Sequence, residues 1–342
     1  MIIDRRGVLA GLSAALVAPG AARAAGITDA AGRTVAIPAK VDRVFAAGPP
    51  ASILLYTLAP DLLLGWTRSH EPAQCALLGA GACNKPEVGR LTGRGNTTNL
   101  EVLLRLKPDL ILDVGSINDS YISLADRVQE QTGIPYALLD GRFAATVPAY
   151  RLLGELIHRE NDAATFARYA EETIAMIKGR IDKIPEAQRP RVYYGRGPRG
   201  LETGLGGSIN VETIEFLGAR NVAGERKGGI ATVSVEQVLA WNPDVIITIE
   251  PAFAASLRSN LLWASMNAVA DGRVYVSPHL PFGWVDFPPS VNRLIGLWWL
   301  AKALYPAQFP EDLRPITRDF YQRFYHMTPS DAQIDAVLAA QD

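Results

Sequence analysis

The chain has 342 residues, 48% hydrophobic and 20% charged, with 34 basic against 35 acidic side chains. At roughly 150 residues per domain this describes a folded body of two domains. The charge balance excludes a basic nucleic-acid-binding surface and an acidic tail, and four histidines with two cysteines are a poor basis for a metal site.

Residues 1–24 read MIIDRRGVLAGLSAALVAPGAARA. Arg5 and Arg6 open the stretch, residues 8–17 are apolar and small, and Ala22-Arg23-Ala24 fits the small-x-small cleavage pattern, with cutting after Ala24. This is the form of a secretory signal peptide. The arginine pair followed by Gly7, Val8 and Leu9 also resembles a twin-arginine export signal. The apolar run is shorter than a spanning helix needs.

Residues 26–46 then predict a small hairpin turning at Ala31-Gly32 and a first core strand over 41–46. Pro49-Pro50 ends that strand and opens a helix, and DLLLGWT (61–67) is the next short strand. Cys75 and Cys83 lie in EPAQCALLGAGACNKPEVG. In an oxidising compartment this pair closes a small loop, eased by the glycines between them. NLEVLLRLKPDLILDVG predicts a helix stopping before Pro108 and a strand over 110–114. Residues 121–140 add a helix, a turn and a strand. From 146 to 184 no strand is visible. Apolar residues at Leu152, Leu156, Phe166, Tyr169, Ile174, Ile177 and Ile181 keep a helical period, with one break at Asn161-Asp162. The helix over 162–184 reads either as an ordinary surface helix or as a strut between two lobes, and its mid-chain position favours the strut. A second alternating region begins at RVYYG, passes through SVEQVLAWNPDVIITIE and GRVYVSP, and reaches a helix entered through Pro288-Pro289.

LEVLLRLKPDLIL (100–112) is echoed by VEQVLAWNPDVII (235–247). Glu101 matches Glu236, Leu104 matches Leu239, and Pro108-Asp109 matches Pro243-Asp244. Each copy is an amphipathic helix, a proline turn and a buried strand. Strand–helix alternation on both sides of one long helix predicts an α/β fold of two lobes with parallel sheets. The expected boundaries are 1–24 signal peptide, 25–145 first lobe, 146–187 helical region and 188–342 second lobe. Ligands of such sheets bind beyond the carboxyl ends of the strands, here between the lobes.

Taken in order, TDAAGRTVAIPAKVDRV, NLEVLLRLKPDLIL, the helical middle, SVEQVLAWNPDVII and GRVYVSP resemble the periplasmic substrate-binding proteins that serve ABC importers for iron-siderophores, haem, cobalamin and some oxyanions. The resemblance runs through most of the chain after the signal. It implies two Rossmann-like lobes bridged by a long helix, ligand in the cleft, little hinge motion, a periplasmic location and an ABC permease dimer of the inner membrane as partner. Family members meet the permease through acidic residues on the lobe tops. No firm motif marks them here, and Asp119 and Glu250, which follow corresponding strands, are the candidates. The resemblance also places at the cleft the loops AAGPPASI, the segment after Trp66, GSINDSY, YYGRGPRGLETGLGG (193–207) and SPHLPFGWVDFPPS, which in family members supply aromatics and arginines.

Within those loops, Arg196 and Arg199 carry the forked guanidinium that suits carboxylates and oxyanions. The bland alternative is a solvated pair, or ion pairs to neighbours such as Glu202. Tyr193 and Tyr194 alternate across a strand, and Tyr194, nearer its end, is the cleft candidate. Trp284, beside Phe282, Asp286 and Phe287, is expected on a pocket wall, with Asp286 anchoring an arginine or accepting from the ligand. Trp66 is a weaker candidate that alternatively plugs a strand end. His279 reads as a loop histidine near the ligand rather than a metal ligand, and Trp298 and Trp299 as core packed against the second sheet. GLGG at 204–207 lacks the lysine and hydroxyl of a phosphate loop. No nucleophile elbow, His-Glu-x-x-His or cysteine cluster supports an enzyme, and no cofactor is implied. A secreted two-lobe metal-dependent enzyme is the rival of a different class. The arginines point to an anionic ligand and the aromatics to one with flat or apolar parts. A ferric siderophore satisfies both and is the preferred cargo. Molybdate or tungstate, held by arginine and backbone N–H groups in a smaller pocket, is the alternative.

Overall fold

The computed structural model describes residues 25–93 and 95–339. The signal-peptide reading of residues 1–24 lies outside the described residues. The opening hairpin pairs β1 (Ala25–Thr28) with β2 (Thr34–Ile37). Val35 and Ile37 point inward and are fully buried. Asp29 closes the turn: Oδ1 accepts the N–H groups of Ala31 and Arg33, and Oδ2 accepts from Leu138 of the neighbouring sheet at 3.2 Å.

The first lobe is built on β3 (Val44–Ala46), β4 (Leu110–Gly115) and β5 (Tyr136–Asp140), parallel and in that order. β3 and β4 are buried throughout, as strands covered on both faces must be. The expected strand over 61–67 is instead an extended edge joined to β3 through a single bridge at Val44 and Leu63, and bridged again from Trp66 to Glu87. The disulfide loop that follows draws the chain away from the sheet: Trp66 donates its indole N–H to Ala82 O at 2.8 Å. Cys75 and Cys83 are bonded, with Cα atoms 5.6 Å apart.

The second lobe contributes β6 (Arg191–Gly195), β7 (Glu202–Gly204), β8 (Arg220–Asn221), β9 (Ile230–Thr232), β10 (Val245–Thr248) and β11 (Val274–Val276). Its parallel sheet has the order β11-β10-β6-β8, and β7 and β9 form a separate antiparallel ribbon. The sequence echo is a structural one. Helices Leu100–Leu106 and Val235–Trp241 are capped at their starts by Asn99 and Ser234. Both end on a left-handed residue, Lys107 (φ 47°) and Asn242 (φ 40°). The matched aspartates then do the same work: Asp109 Oδ2 accepts the backbone N–H of Arg43, and Asp244 Oδ2 that of Arg191.

Between the lobes run helices Thr146–Leu156 and Glu160–Ile181, the latter 22 residues long. The break falls at 157–159, earlier than Asn161-Asp162. Glu160 and Asp162 belong to the next helix's first turn, where acidic residues oppose its positive end. His158 takes φ 56° at the junction. After helix Arg293–Leu304 the chain returns to the first lobe. Helix Leu313–Phe324 packs on helix Pro49–Leu58, Tyr56 donates to Tyr325 O, and Gln333 donates to Ala76 O. The last described residues thus cover the first lobe, although they follow the second in sequence. One apolar core runs through both lobes and the bridging helix, and smaller clusters fill the outer face of each sheet.

Candidate functional site

The carboxyl ends of both sheets open toward one another, and the space between holds two adjoining cavities. The inner one, about 390 Å³, is walled by both lobes: Thr92, Ser116 and Tyr121 from the first, Ile209 and Pro289 from the second. The outer one, about 510 Å³, lies toward the second lobe, among Gln74, Glu202, Glu250 and His279. Arg68, Arg196, Asp286, Phe287 and Pro288 border both.

The floor of the inner cavity follows from local sequence. Helix Pro49–Leu58 begins after Gly48 with no side-chain cap and no acidic residue in its first turn. Its positive end meets the cavity at Pro49 and Pro50. The two prolines donate no N–H, so the helix offers field rather than donors. Gly48 is required by close approach, since a Cβ there would fall 2.5 Å from Thr92 Oγ1. Thr92 Oγ1 in turn donates to Asp113 Oδ1 at 2.9 Å, and Tyr136 donates to Asp113 Oδ2 at 3.0 Å. Asp113 is fully buried with neutral donors around it. Burial raises its pKa to about 6, against the opposing pull of Thr92, Tyr136 and the Val114 N–H.

Arg196 follows β6 directly and is only 6% exposed. Its Nε lies 3.0 Å from Asp286 Oδ2 and its Nη1 3.9 Å from Glu202 Oε2. The Nε approach is an ion pair without an aligned hydrogen bond. Asp286 is fully buried and also accepts from Tyr194 Oη (2.9 Å), Asn210 Nδ2 (2.8 Å) and the Phe287 N–H (2.7 Å). Burial pulls the Arg196 pKa down, but Asp286, Tyr194 and Glu202 outweigh it and hold the charge in place. The glycine-rich loop after it is ordered by pairing. Arg196 and Glu202 exchange backbone hydrogen bonds, and Gly197 (φ 74°) and Gly200 (φ 64°) make the turn. A Cβ on Gly200 would strike the Phe253 ring at 2.1 Å.

Of the residues singled out from the sequence, the fold brings Arg196, Asp286, Glu250 and His279 together at the cleft. Arg199 is exposed at the tip of its turn. Tyr194, Trp284 and Trp66 lie in the core rather than on the cleft wall. Tyr194 and Trp284 have no exposed surface and Trp66 has 2%. Tyr194 is drawn inward by Asp286. Trp284 is packed beneath its own loop against Gly296, whose missing Cβ leaves room for the Trp284 carbonyl. Trp66 sits in an aromatic cluster with Tyr56 (5.1 Å), His70 (4.5 Å) and Phe282 (5.9 Å). Trp298 and Trp299 are buried, but their helix packs on the bridging helix and helix Leu313–Phe324 rather than on the second sheet. Asp119 is exposed at the start of helix Asp119–Thr132.

Arg90 and Thr92 line the cleft from a loop that had no sequence candidate, and Arg68 lies in the segment after Trp66 that was expected there without being singled out itself. Arg68 lies two residues beyond Trp66, and its guanidinium covers the Phe287 ring at 5.9 Å. Arg90 is held by its own loop, Nε donating to Gly95 O at 2.8 Å. The glycines flanking it, Gly89 (φ 75°) and Gly93 (φ 95°), were the available signal. Among the described residues no group of three or more histidine, cysteine or acidic side chains is arranged to hold a metal ion.

A family model described as periplasmic binding protein matches residues 79–279. The chain belongs to this family. The molybdate-binding protein MolA of Haemophilus influenzae is 28% identical over 262 residues, 70% of this chain and 74% of that protein. The solved structure of an ABC transporter solute binding protein from Sulfurospirillum deleyianum matches with a TM-score of 0.83 at 26% identity, covering 92% of this chain and 99% of that one. MolA with molybdate bound matches with a TM-score of 0.72 at 24% identity, over 90% and 99%, and shows the shared fold. As a periplasmic binding protein the chain is a transport component and not an enzyme, and it delivers a small ligand to an ABC permease.

Proposed function

We propose that this periplasmic binding protein captures a small oxyanion of the molybdate or tungstate type in the inner cavity and presents it to the permease. The observation that carries the reading is that three arginines, Arg68, Arg90 and Arg196, line that cavity beside the hydroxyl-bearing Ser116 and Tyr121. Guanidinium forks and hydroxyl donors suit a compact oxyanion, and the helix start at Pro49 adds positive field. The preference for a ferric siderophore rested on arginines together with aromatics. With Trp284, Trp66 and Tyr194 in the core, the arginines remain and most of the flat apolar wall does not. The relative named as molybdate-binding supports the same choice.

The chelate is a second reading with one observation in its favour: the outer cavity adjoins the inner one and shares its arginines. Thermal-shift and calorimetric titrations with molybdate, tungstate, sulfate, phosphate and a ferric siderophore separate the two. Molybdate or tungstate is expected to stabilise the protein. Stabilisation by the ferric chelate alone would sink the oxyanion reading. Arg68→Ala is the clean site variant, because Arg68 is exposed and its described contact is the Phe287 ring. It is expected to weaken oxyanion binding by about tenfold or more, the worth of a charged hydrogen bond, with little change in Tm.

Delivery is proposed to use Asp119 and Glu250 as permease contacts and export to use the Arg5-Arg6 signal. Replacing both arginines by lysine (Arg5→Lys with Arg6→Lys) would then hold the protein back in the cytoplasm, as read by cell fractionation. The disulfide fits an oxidising compartment.

A further inference from the structure

Five residues border both cavities of the cleft, and Phe287 is the exposed apolar side chain among them. In the loop over 282–287 every residue is buried except the last: Phe287 is 53% exposed, while Asp286 beside it has no exposed surface. Phe287 also holds φ 63°, a region that a bulky side chain rarely enters. Its N–H donates to Asp286 Oδ1 at 2.7 Å, so the strained backbone is pinned by the same carboxylate that holds Arg196. From the opposite lobe Arg68 covers the ring. An exposed phenyl ring and a left-handed backbone are both unfavourable for folding, so the arrangement has a use other than stability.

We propose that Phe287 is the residue that sets ligand size in this cleft: its ring partitions the space, confines a bound anion to the inner cavity and excludes anions with a bulky organic part. The inference deepens the oxyanion reading and rests on it. The two sides of the partition differ in charge. On the inner side the carboxylate at the wall is Asp286, buried and engaged by four partners. On the outer side Glu202 and Glu250 are added. A compact dianion is therefore better placed inward. A bulky anion fits only by extending past the ring into the outer cavity.

The test compares wild type, Phe287→Ala and Phe287→Gly by calorimetry with two probes, sodium molybdate and ferric enterobactin, a trianionic tris-catecholate. Glycine adopts φ 63° without strain, so Phe287→Gly removes the ring without the folding risk that alanine carries at this backbone. Both variants are expected to gain about tenfold or more in affinity for the ferric chelate, since loss of a steric barrier acts on the larger ligand. Phe287→Tyr, which keeps the ring, is expected to behave as wild type. Unchanged chelate binding in both ring-less variants overturns the partition. So does a wild type that binds the chelate as tightly as they do. Failure of wild type to bind molybdate overturns the oxyanion reading instead, and the chelate arm still decides the role of Phe287.

Discussion

Asp286 at the cleft wall and Asp113 behind Thr92 are both fully buried carboxylates, and their surroundings make them opposites. Asp286 faces the Arg196 guanidinium as well as Tyr194 and Asn210. Asp113 meets only neutral donors, and burial raises its pKa from 3.8 to about 6. Between those two values the native state keeps a proton that the unfolded chain has released. The contribution of Asp113 to stability is therefore fully present below about pH 4 and is lost as pH rises through about 6, roughly 3 kcal/mol in all. Asp113→Asn keeps an oxygen for Thr92 Oγ1 and the Val114 N–H and leaves Tyr136 to accept instead of donate. It is expected to flatten this slope, so that variant and wild type diverge above about pH 6 with the variant the more stable. Urea denaturation at about pH 4.5 and about pH 7.5 reads the difference, and equal slopes would remove Asp113 as its source. Asp286→Ala has the other sign. It leaves the buried Arg196 charge with only the 3.9 Å approach of Glu202, and removing one partner of a buried pair costs up to about 3–5 kcal/mol. The same denaturation series measures it at the higher pH.

At the scale of elements, the disulfide closes a short loop, and Gln74 just before it crosses to the second lobe, donating to Pro281 O at 2.9 Å. The loop spans a sequence separation of 8, for which chain entropy gives about 2.5 kcal/mol. A Cys75→Ser, Cys83→Ser double variant is expected to lose that stability and to match wild type treated with reductant in a thermal melt. The bridging helix offers the reverse effect. Gly179 lies exposed within it with nothing within 4 Å of a built Cβ. Gly179→Ala is expected to gain about 0.5–1 kcal/mol. The elements themselves were largely legible, because hydrophobic period is a local signal. The echo of 100–112 in 235–247 correctly paired two helix–strand units, down to Asp109 and Asp244. The edge segment 61–67 was not legible: its apolar residues read as a strand, and the disulfide loop beside it decides otherwise. The cleft was half legible. Arg196 and Asp286 follow strand ends or sit in the loop expected to face them. The fates of Trp284 and Tyr194 depend on which element packs behind them, a long-range fact that no window of sequence contains.

At the scale of the molecule, the question is how far two lobes on a helical strut can move. Ties near the cleft restrain them. Ser290 Oγ donates to Pro50 O at 2.9 Å, and Gln74 reaches Pro281. The third tie is built on charge. Arg293, 2% exposed, donates from Nη2 to Gly141 O of the first lobe at 2.7 Å and pairs through Nη1 with Glu212 Oε2 of the second at 3.1 Å. The same Glu212 oxygen accepts the Phe143 N–H at 2.7 Å, and the Arg293 guanidinium stands 5.4 Å from the centre of the Phe143 ring. Burial lowers the Arg293 pKa, with Glu212 opposing. A guanidinium fork can join a carbonyl and a carboxylate on different lobes, whereas the single ammonium of lysine cannot reach both in the same geometry. Arg293→Met keeps the apolar packing and removes the fork. It leaves Glu212 with its charge and without its cation, at a cost of about 3–5 kcal/mol. If the tie restrains the lobes, hydrogen exchange at the Phe143 amide should speed up by about tenfold or more, because that N–H depends on a Glu212 held in place. Amides in β10, remote from the tie, should change only by the global loss of stability. Pairing the variant with Glu212→Gln removes the stranded charge and separates the two effects. Stability should recover in the double variant while the fast exchange at Phe143 remains. Exchange at Phe143 that returns to the wild-type rate with stability would show that the lobes are held by their packing alone.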